Sequence, residues 1–212
     1  MVKKNRRRLK IILDQHKELL ILASTSPARA ALLNNAGLSF EKRPSGVSED
    51  ALKISMKPQG AEAAALALAE AKARHVSRQA PDCLVIGADQ LLDCHGDWLD
   101  KACDKEDAAR QLRLLCGKNH HLATAVCVMQ NGACLWSFVG SPRLKMRAFS
   151  NEFIASYLRD AGDQAFGCVG AYRLEGLGAQ LFDEIEGDYF TILGLPLFPL
   201  LGFLRSRGIV GS

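Results

Sequence analysis

Leu19-Leu20-Ile21-Leu22-Ala23-Ser24-Thr25-Ser26-Pro27-Ala28-Arg29-Ala30-Ala31-Leu32-Leu33-Asn34-Asn35-Ala36 changes its period halfway along and crowds polar groups at the change. Leu19 to Ala23 is an apolar run of strand length, the pattern of a strand covered on both faces. Pro27 suits the first turn of a helix, where its missing N–H is no loss, and Ser26 before it suits the N-cap. Ala28 to Ala36 continues the helix and Gly37 stops it. A strand running into a helix N-terminus brings unpaired N–H groups and the positive end of the helix dipole to one point, where anions are stabilised. Arg29 adds a planar donor fork that matches phosphate oxygens, and the hydroxyls of Ser24 and Ser26 add rotatable donors. The N-cap alone is explained by an ordinary capped helix; its combination with Arg29 favours a phosphate site.

Working outward, the 212 residues are 48% hydrophobic with 27 basic and 23 acidic side chains. Mean hydropathy is near zero. That is enough chain for one sizeable core, divisible into two lobes by a cleft. The net charge of +4 hints at nucleic acid until it is located. Lys3, Lys4, Arg6, Arg7, Arg8 and Lys10 carry the excess; taking those six from 27 leaves 21 against 23 acids, a nearly neutral body. Residues 1–18 therefore read as a basic extension and 19–208 as a single domain, with nucleic acid disfavoured as a partner. Seven cysteines, odd in number and without Cys-x-x-Cys or Cys/His ligand spacing, read as reduced and mostly buried thiols of a cytoplasmic protein. Asp14 to Glu18 place charges where a signal peptide needs an apolar stretch, and no apolar run approaches membrane-spanning length.

Further along, Leu38 to Lys42 reads as a short strand and Gln59 to Arg78 as an alanine-rich helix. Leu68, Lys72 and His75 share one helical face; Lys72 is a solvated lysine unless that face borders a cleft. Cys83 to Ala88 reads as a buried strand ending on Asp89, and the carboxyl ends of strands are where open α/β sheets bind ligands. His95-Gly96-Asp97 suits a hairpin whose second arm ends on Lys101. A helix follows Asp104, Leu122 to Met129 and Ala133 to Val139 form a hairpin about Asn131-Gly132, and Pro142 to Phe149 is a strand with one wet face. Ser150 caps a helix ending at Gly162. Leu181 to Ile185 and Tyr189 to Leu193 suit paired strands, and Pro196 opens a last helix. The fold class is α/β, a mixed central sheet with flanking helices.

Several of these segments are similar to the motifs of the Maf family of nucleotide pyrophosphatases. Ser24-Thr25-Ser26-Pro27-Ala28-Arg29 resembles its N-terminal signature. Gly87-Ala88-Asp89, Leu99-Asp100-Lys101, Cys116-Gly117-Lys118, Gly170-Ala171-Tyr172 with Glu175-Gly176-Leu177-Gly178, and Gly187-Asp188-Tyr189 through Pro196 follow in family order. The resemblance implies two lobes around a cleft, frequent dimerisation, and metal-dependent hydrolysis of a nucleoside triphosphate to the monophosphate and pyrophosphate. It implies Asp89 as proton acceptor, and Glu49 with Asp89 as ligands of Mg²⁺ or Mn²⁺, hard cations that prefer oxygen. Ser24, Ser26, Arg29, Lys72 and Lys101 are then the phosphate donors.

The resemblance implies Ala28, Gln90 and Glu175 as the base-contacting positions. The thymidine/uridine-preferring branch of the family usually has Arg, Thr and Gln there, with Lys at Cys168. The branch that prefers 7-methyl-GTP resembles this chain at Gln90, Cys168 and Glu175, but carries a large aromatic in place of Ala28. An ionised Glu175 only accepts hydrogen bonds, and guanine offers two adjacent donors where uracil offers one. A guanine-type base is therefore expected. A dTTP/UTP-type pyrophosphatase, an inosine-triphosphate-type enzyme and a nucleotide-sensing regulator of septum formation are the alternatives.

Overall fold

The computed structural model describes residues 19–211, so the basic arm lies outside it. In chain order the elements are β1 (Leu20–Leu22), α1 (Pro27–Asn35), β2 (Glu41–Lys42), α2 (Asp50–Met56), α3 (Ala61–Gln79), β3 (Leu84–Cys94) and β4 (Asp97–Leu99). Then come α4 (Lys105–Leu115), β5 (Asn119–Gln130), β6 (Ala133–Gly140), β7 (Arg143–Met146), α5 (Asn151–Ala161), β8 (Phe182–Glu186), α6 (Tyr189–Ile192) and α7 (Leu197–Ser206). One eight-stranded sheet runs β2-β1-β3-β5-β7-β8, with β4 beside β3 and β6 beside β5. It is mixed: β1 is parallel to β2 and β3, while the remaining pairs are antiparallel.

The spine is the long ladder of β3 on β5, in register from Val85 opposite Met129 to Asp93 opposite His121. On the other edge of β3, Leu84 to Ile86 pair with β1 and Leu92 to Cys94 pair with β4. Between them lies an opening in the sheet, and Asp89 sits in it. This corrects one expectation: β3 does not end at Asp89 but runs on to Cys94. The strand that ends is β1, after a last bond from Ala23 N–H to the Ile86 carbonyl at 2.8 Å. Asp89 thus still lies just past a strand's carboxyl end, the neighbour's.

Alternation along β3 then assigns the faces. Leu84, Ile86 and Ala88 pack against α1 and α7, and Val85 and Leu91 against the alanine face of α3. Beyond the opening, Leu92 and Cys94 join α4, α5 and β7 in a third core. The three cores make two lobes with the cleft between them. Gly87 permits the closest contact: a Cβ there would meet the Ala69 carbonyl oxygen of α3 at 2.2 Å and the Ala73 Cβ at 2.7 Å. Gly87→Ala is expected to push α3 outward and lower stability by about 1–3 kcal/mol, the usual cost of overpacking. Urea denaturation checks this; an unchanged midpoint would mean the helix yields freely.

Other differences are local. The strand expected over Leu38 to Lys42 shrinks to Glu41–Lys42. Tyr189–Ile192 is a helical turn rather than a strand, because Asp188 caps it, accepting from the Thr191 N–H and Oγ1 at 2.7 Å each. β8 pairs with β7 instead. All seven cysteines are free, but against the expectation of mostly buried thiols only Cys94 and Cys127 are buried, while Cys103 and Cys134 are exposed.

Candidate active site

The turn after β1 forms as its sequence dictates. Ser26 Oγ accepts from the Arg29 N–H at 3.4 Å and Pro27 takes the first helical position. Ser24 Oγ accepts from the Ser26 N–H at 3.1 Å and from Arg29 Nη1 at 3.3 Å. Arg29 Nε donates to the Gly194 carbonyl at 2.8 Å, which turns the guanidinium across the helix mouth. Each serine hydroxyl keeps its own hydrogen for a further acceptor. Burial pushes the Arg29 pKa down, against the pull of Asp89 and Glu49, and the group stays cationic.

From the opposite face α3 delivers Lys72, whose side borders the cleft: it is only 9% exposed. His75, one turn on, is on the surface with Gln79 and plays no part. Lys72 Nζ lies 2.5 Å from Asp89 Oδ1 and 2.6 Å from Glu49 Oε1. Lys53 follows, 3.6 Å from Glu49 Oε2 and 2.6 Å from Asp100 Oδ1. Charges therefore alternate along the cleft from Asp100 through Lys53, Glu49 and Lys72 to Asp89. Burial opposes the ionised Glu49, but the hydrogen bond and charge of Lys72, with Lys53 and Arg29 beyond, hold its carboxyl below the usual range. Burial likewise opposes the Lys53 cation, and Asp100 with Glu49 outweighs it and raises the pKa.

Sequence reading missed Lys53, although its i, i+4 spacing from Glu49 was a usable signal. It also gave Asp100 no role beyond its place in a motif. One cavity of about 600 Å³ is lined by all the expected residues: Ser24, Ser26, Ala28, Arg29, Glu49, Lys72, Asp89, Gln90, Lys101 and Glu175. Lys101 is exposed there, its backbone bridged to Val169. Gln90 faces away from Asp89, and its Nε2 is spent on Thr124 Oγ1 at 2.9 Å and the carbonyls of Ile192 and Thr191 at 3.1 and 3.2 Å.

The far wall is the segment from Gly167 to Glu175. Tyr157 Oη donates to the Ala171 carbonyl at 3.1 Å, and Tyr172 Oη pairs with His120 Nε2 at 2.8 Å. Burial pushes the His120 pKa down to about 4, so the imidazole is neutral at pH 7. Glu175 is not the bare carboxylate expected: Arg173 Nε and Nη2 both donate to its Oε1, at 2.9 and 2.7 Å.

Glu49 and Asp89 supply the hard oxygen donors a divalent cation takes. Among the described residues, no three acidic, histidine or cysteine side chains converge as a cage. The pair has the donor chemistry that Mg²⁺ or Mn²⁺ takes, cations that keep several waters and are commonly completed by substrate phosphates, while Lys72 Nζ bridges the same two carboxylates here.

A helix N-terminus with its arginine, facing a buried lysine and two carboxylates across a break in a mixed sheet, defines an α/β protein with a polar, charge-paired cleft. Residues 19–207 match the model of the Maf-like protein family. The chain belongs to that family. It is 54% identical over 190 residues, 89% of this chain and 96% of the relative, to a protein of Granulibacter bethesdensis named nucleoside triphosphate pyrophosphatase. It is 48% identical to proteins named 7-methyl-GTP pyrophosphatase from Rhizobium etli (90% of this chain, 97% of the relative) and Rhizobium meliloti (92% and 100%). No helix among the described residues is long and apolar enough to cross a membrane.

Proposed function

We propose that this protein hydrolyses the α–β anhydride of a nucleoside triphosphate, releasing the nucleoside monophosphate and pyrophosphate. The observation that carries the reading is the Asp89–Lys72–Glu49 cluster facing Arg29 across one cavity. Cleaving a phosphoanhydride needs charge neutralisation and an oriented water more than covalent chemistry. Arg29, the α1 N-terminus and the hydroxyls of Ser24 and Ser26 hold the phosphates. Lys72 and Lys101 neutralise charge that builds on the leaving pyrophosphate. Asp89 orients the attacking water and accepts its proton. A divalent cation held by Glu49 and Asp89 would add neutralisation of the phosphate oxygens.

For the base, Ala28, Gln90 and Glu175 lie on the same cavity, and relatives named for 7-methyl-GTP support a guanine-type nucleotide, modified or not. Residues 19–208 act as one catalytic unit in this reading, and free thiols are consistent with a cytoplasmic setting.

The test is a panel of canonical and modified nucleoside triphosphates with Mg²⁺ or Mn²⁺, followed by product analysis. Equal amounts of monophosphate and pyrophosphate are expected, with guanine-type substrates ahead of uracil and thymine types. Release of orthophosphate and a diphosphate, or return of every nucleotide intact, would overturn the reading.

A further inference from the structure

The pairing of Glu175 with Arg173 changes what a base would meet, and the consequence deepens the pyrophosphatase reading on which it rests. Glu175 Oε1 already accepts two hydrogen bonds from the guanidinium. Oε2 has no partner among the described residues. Arg173 spends Nε–H and one Nη2 hydrogen on Glu175, and one Nη1 hydrogen on Gln164 Oε1 at 3.3 Å. One N–H is left on each Nη. Both side chains line the same cavity as Asp89 and Arg29.

A bare carboxylate offers two parallel acceptors, which suit the N1–H and 2-amino group of guanine together. The pair seen here offers one acceptor, Oε2, beside a guanidinium donor. That pattern matches a ring N–H next to a carbonyl. It finds both groups on a 6-oxopurine, as it would at N3–H and O4 of uracil or thymine, and it has no acceptor left for a purine 2-amine.

We propose that Arg173 and Glu175 act jointly as a reader of the 6-oxopurine edge that is indifferent to the 2-amino group. The substrate class then includes deaminated, hypoxanthine-type triphosphates alongside guanine-type ones. GTP and 7-methyl-GTP share the edge being read, so the pair does not separate them. Arg173 is a positioning residue toward Glu175 Oε1 and a direct donor toward the base carbonyl.

The test compares kcat/KM for GTP and ITP, with pyrophosphate as the measured product. The wild-type ratio is expected near one. Arg173→Met releases Oε1 to accept from the 2-amine, so the ratio should rise in favour of GTP by about tenfold, the worth of one hydrogen bond to a charged group. Arg173→Lys, whose single ammonium leaves one lone pair of Oε1 open, should raise the ratio by less than Arg173→Met does. A structural role alone would lower both substrates equally. Such an equal loss, an unchanged ratio in Arg173→Met, or a wild type strongly favouring GTP would each overturn the proposal while leaving pyrophosphate release intact. Should no nucleotide release pyrophosphate, the pyrophosphatase reading falls separately. The ratio of Kd values for non-hydrolysable GTP and ITP analogues, measured by calorimetry on the same three proteins, then decides this one.

Discussion

Asp89→Asn is expected to lower kcat by about 10²–10⁴-fold, the range of a general-base contribution, with the fold retained. Asp89 is 4% exposed and its Oδ1 is held by Lys72, so it is already aimed. Asparagine keeps the shape and still offers an oxygen to Lys72, but it cannot take the proton of the attacking water. β3 is pinned at this point by its ladder to β5, with Asp89 opposite Ala125, so the backbone has little reason to move. Steady-state kinetics with a far-ultraviolet spectrum of the variant checks both halves of the statement. Turnover close to wild type would make Asp89 structural and leave water activation to another group.

Lys72→Met should have the largest effect on stability. Lys72 Nζ sits between Asp89 and Glu49, and removing it leaves two carboxylates, one almost fully enclosed, without their counter-charge. Breaking a buried pair by deleting one partner costs about 3 kcal/mol or more, which for a domain of this size lowers Tm by roughly 6–12 °C. The pH response has a definite sign. Glu49 has a depressed folded-state pKa, so its contribution is present above its unfolded value of 4.5 and is lost as pH falls through the folded value. Lys72→Met removes the strongest cause of that depression, so the loss of stability toward acid should weaken below pH 4.5. Thermal melts of the wild type, Lys72→Met and Lys72→Met/Asp89→Asn across pH 3 to 7 provide the check. The double variant should recover part of the loss, since it removes one of the stranded charges. A Lys72→Met protein as stable as wild type would mean the cluster is well solvated.

What the sequence by itself determined was everything carried by local chemistry. The strand-to-helix turn at Ser24 to Arg29, the caps Ser26 and Ser150, the helix after Asp104 and the Asn131-Gly132 hairpin depend on residues within a few positions of each other. Period and cap therefore suffice to read them. The motif residues were picked out for a different reason: their types are those phosphate and metal chemistry require and their order resembles the family's, although Asp89 lies inside β3 and Lys72 inside α3. What only the tertiary structure decided was how those pieces face one another. Tyr189 to Leu193 reads as a strand by pattern, but Tyr189–Ile192 forms a helical turn capped by Asp188. Gly87 gives no sign of its purpose until α3 lies across it, and only that approach brings Lys72 onto Asp89 from 17 residues away. Lys53 and Asp100 are 47 residues apart and meet because both line the same cleft. The state of Glu175, free or held by Arg173, depends on how a glycine-rich loop folds back. No periodicity encodes that, because such a loop takes its shape from the walls it lies against.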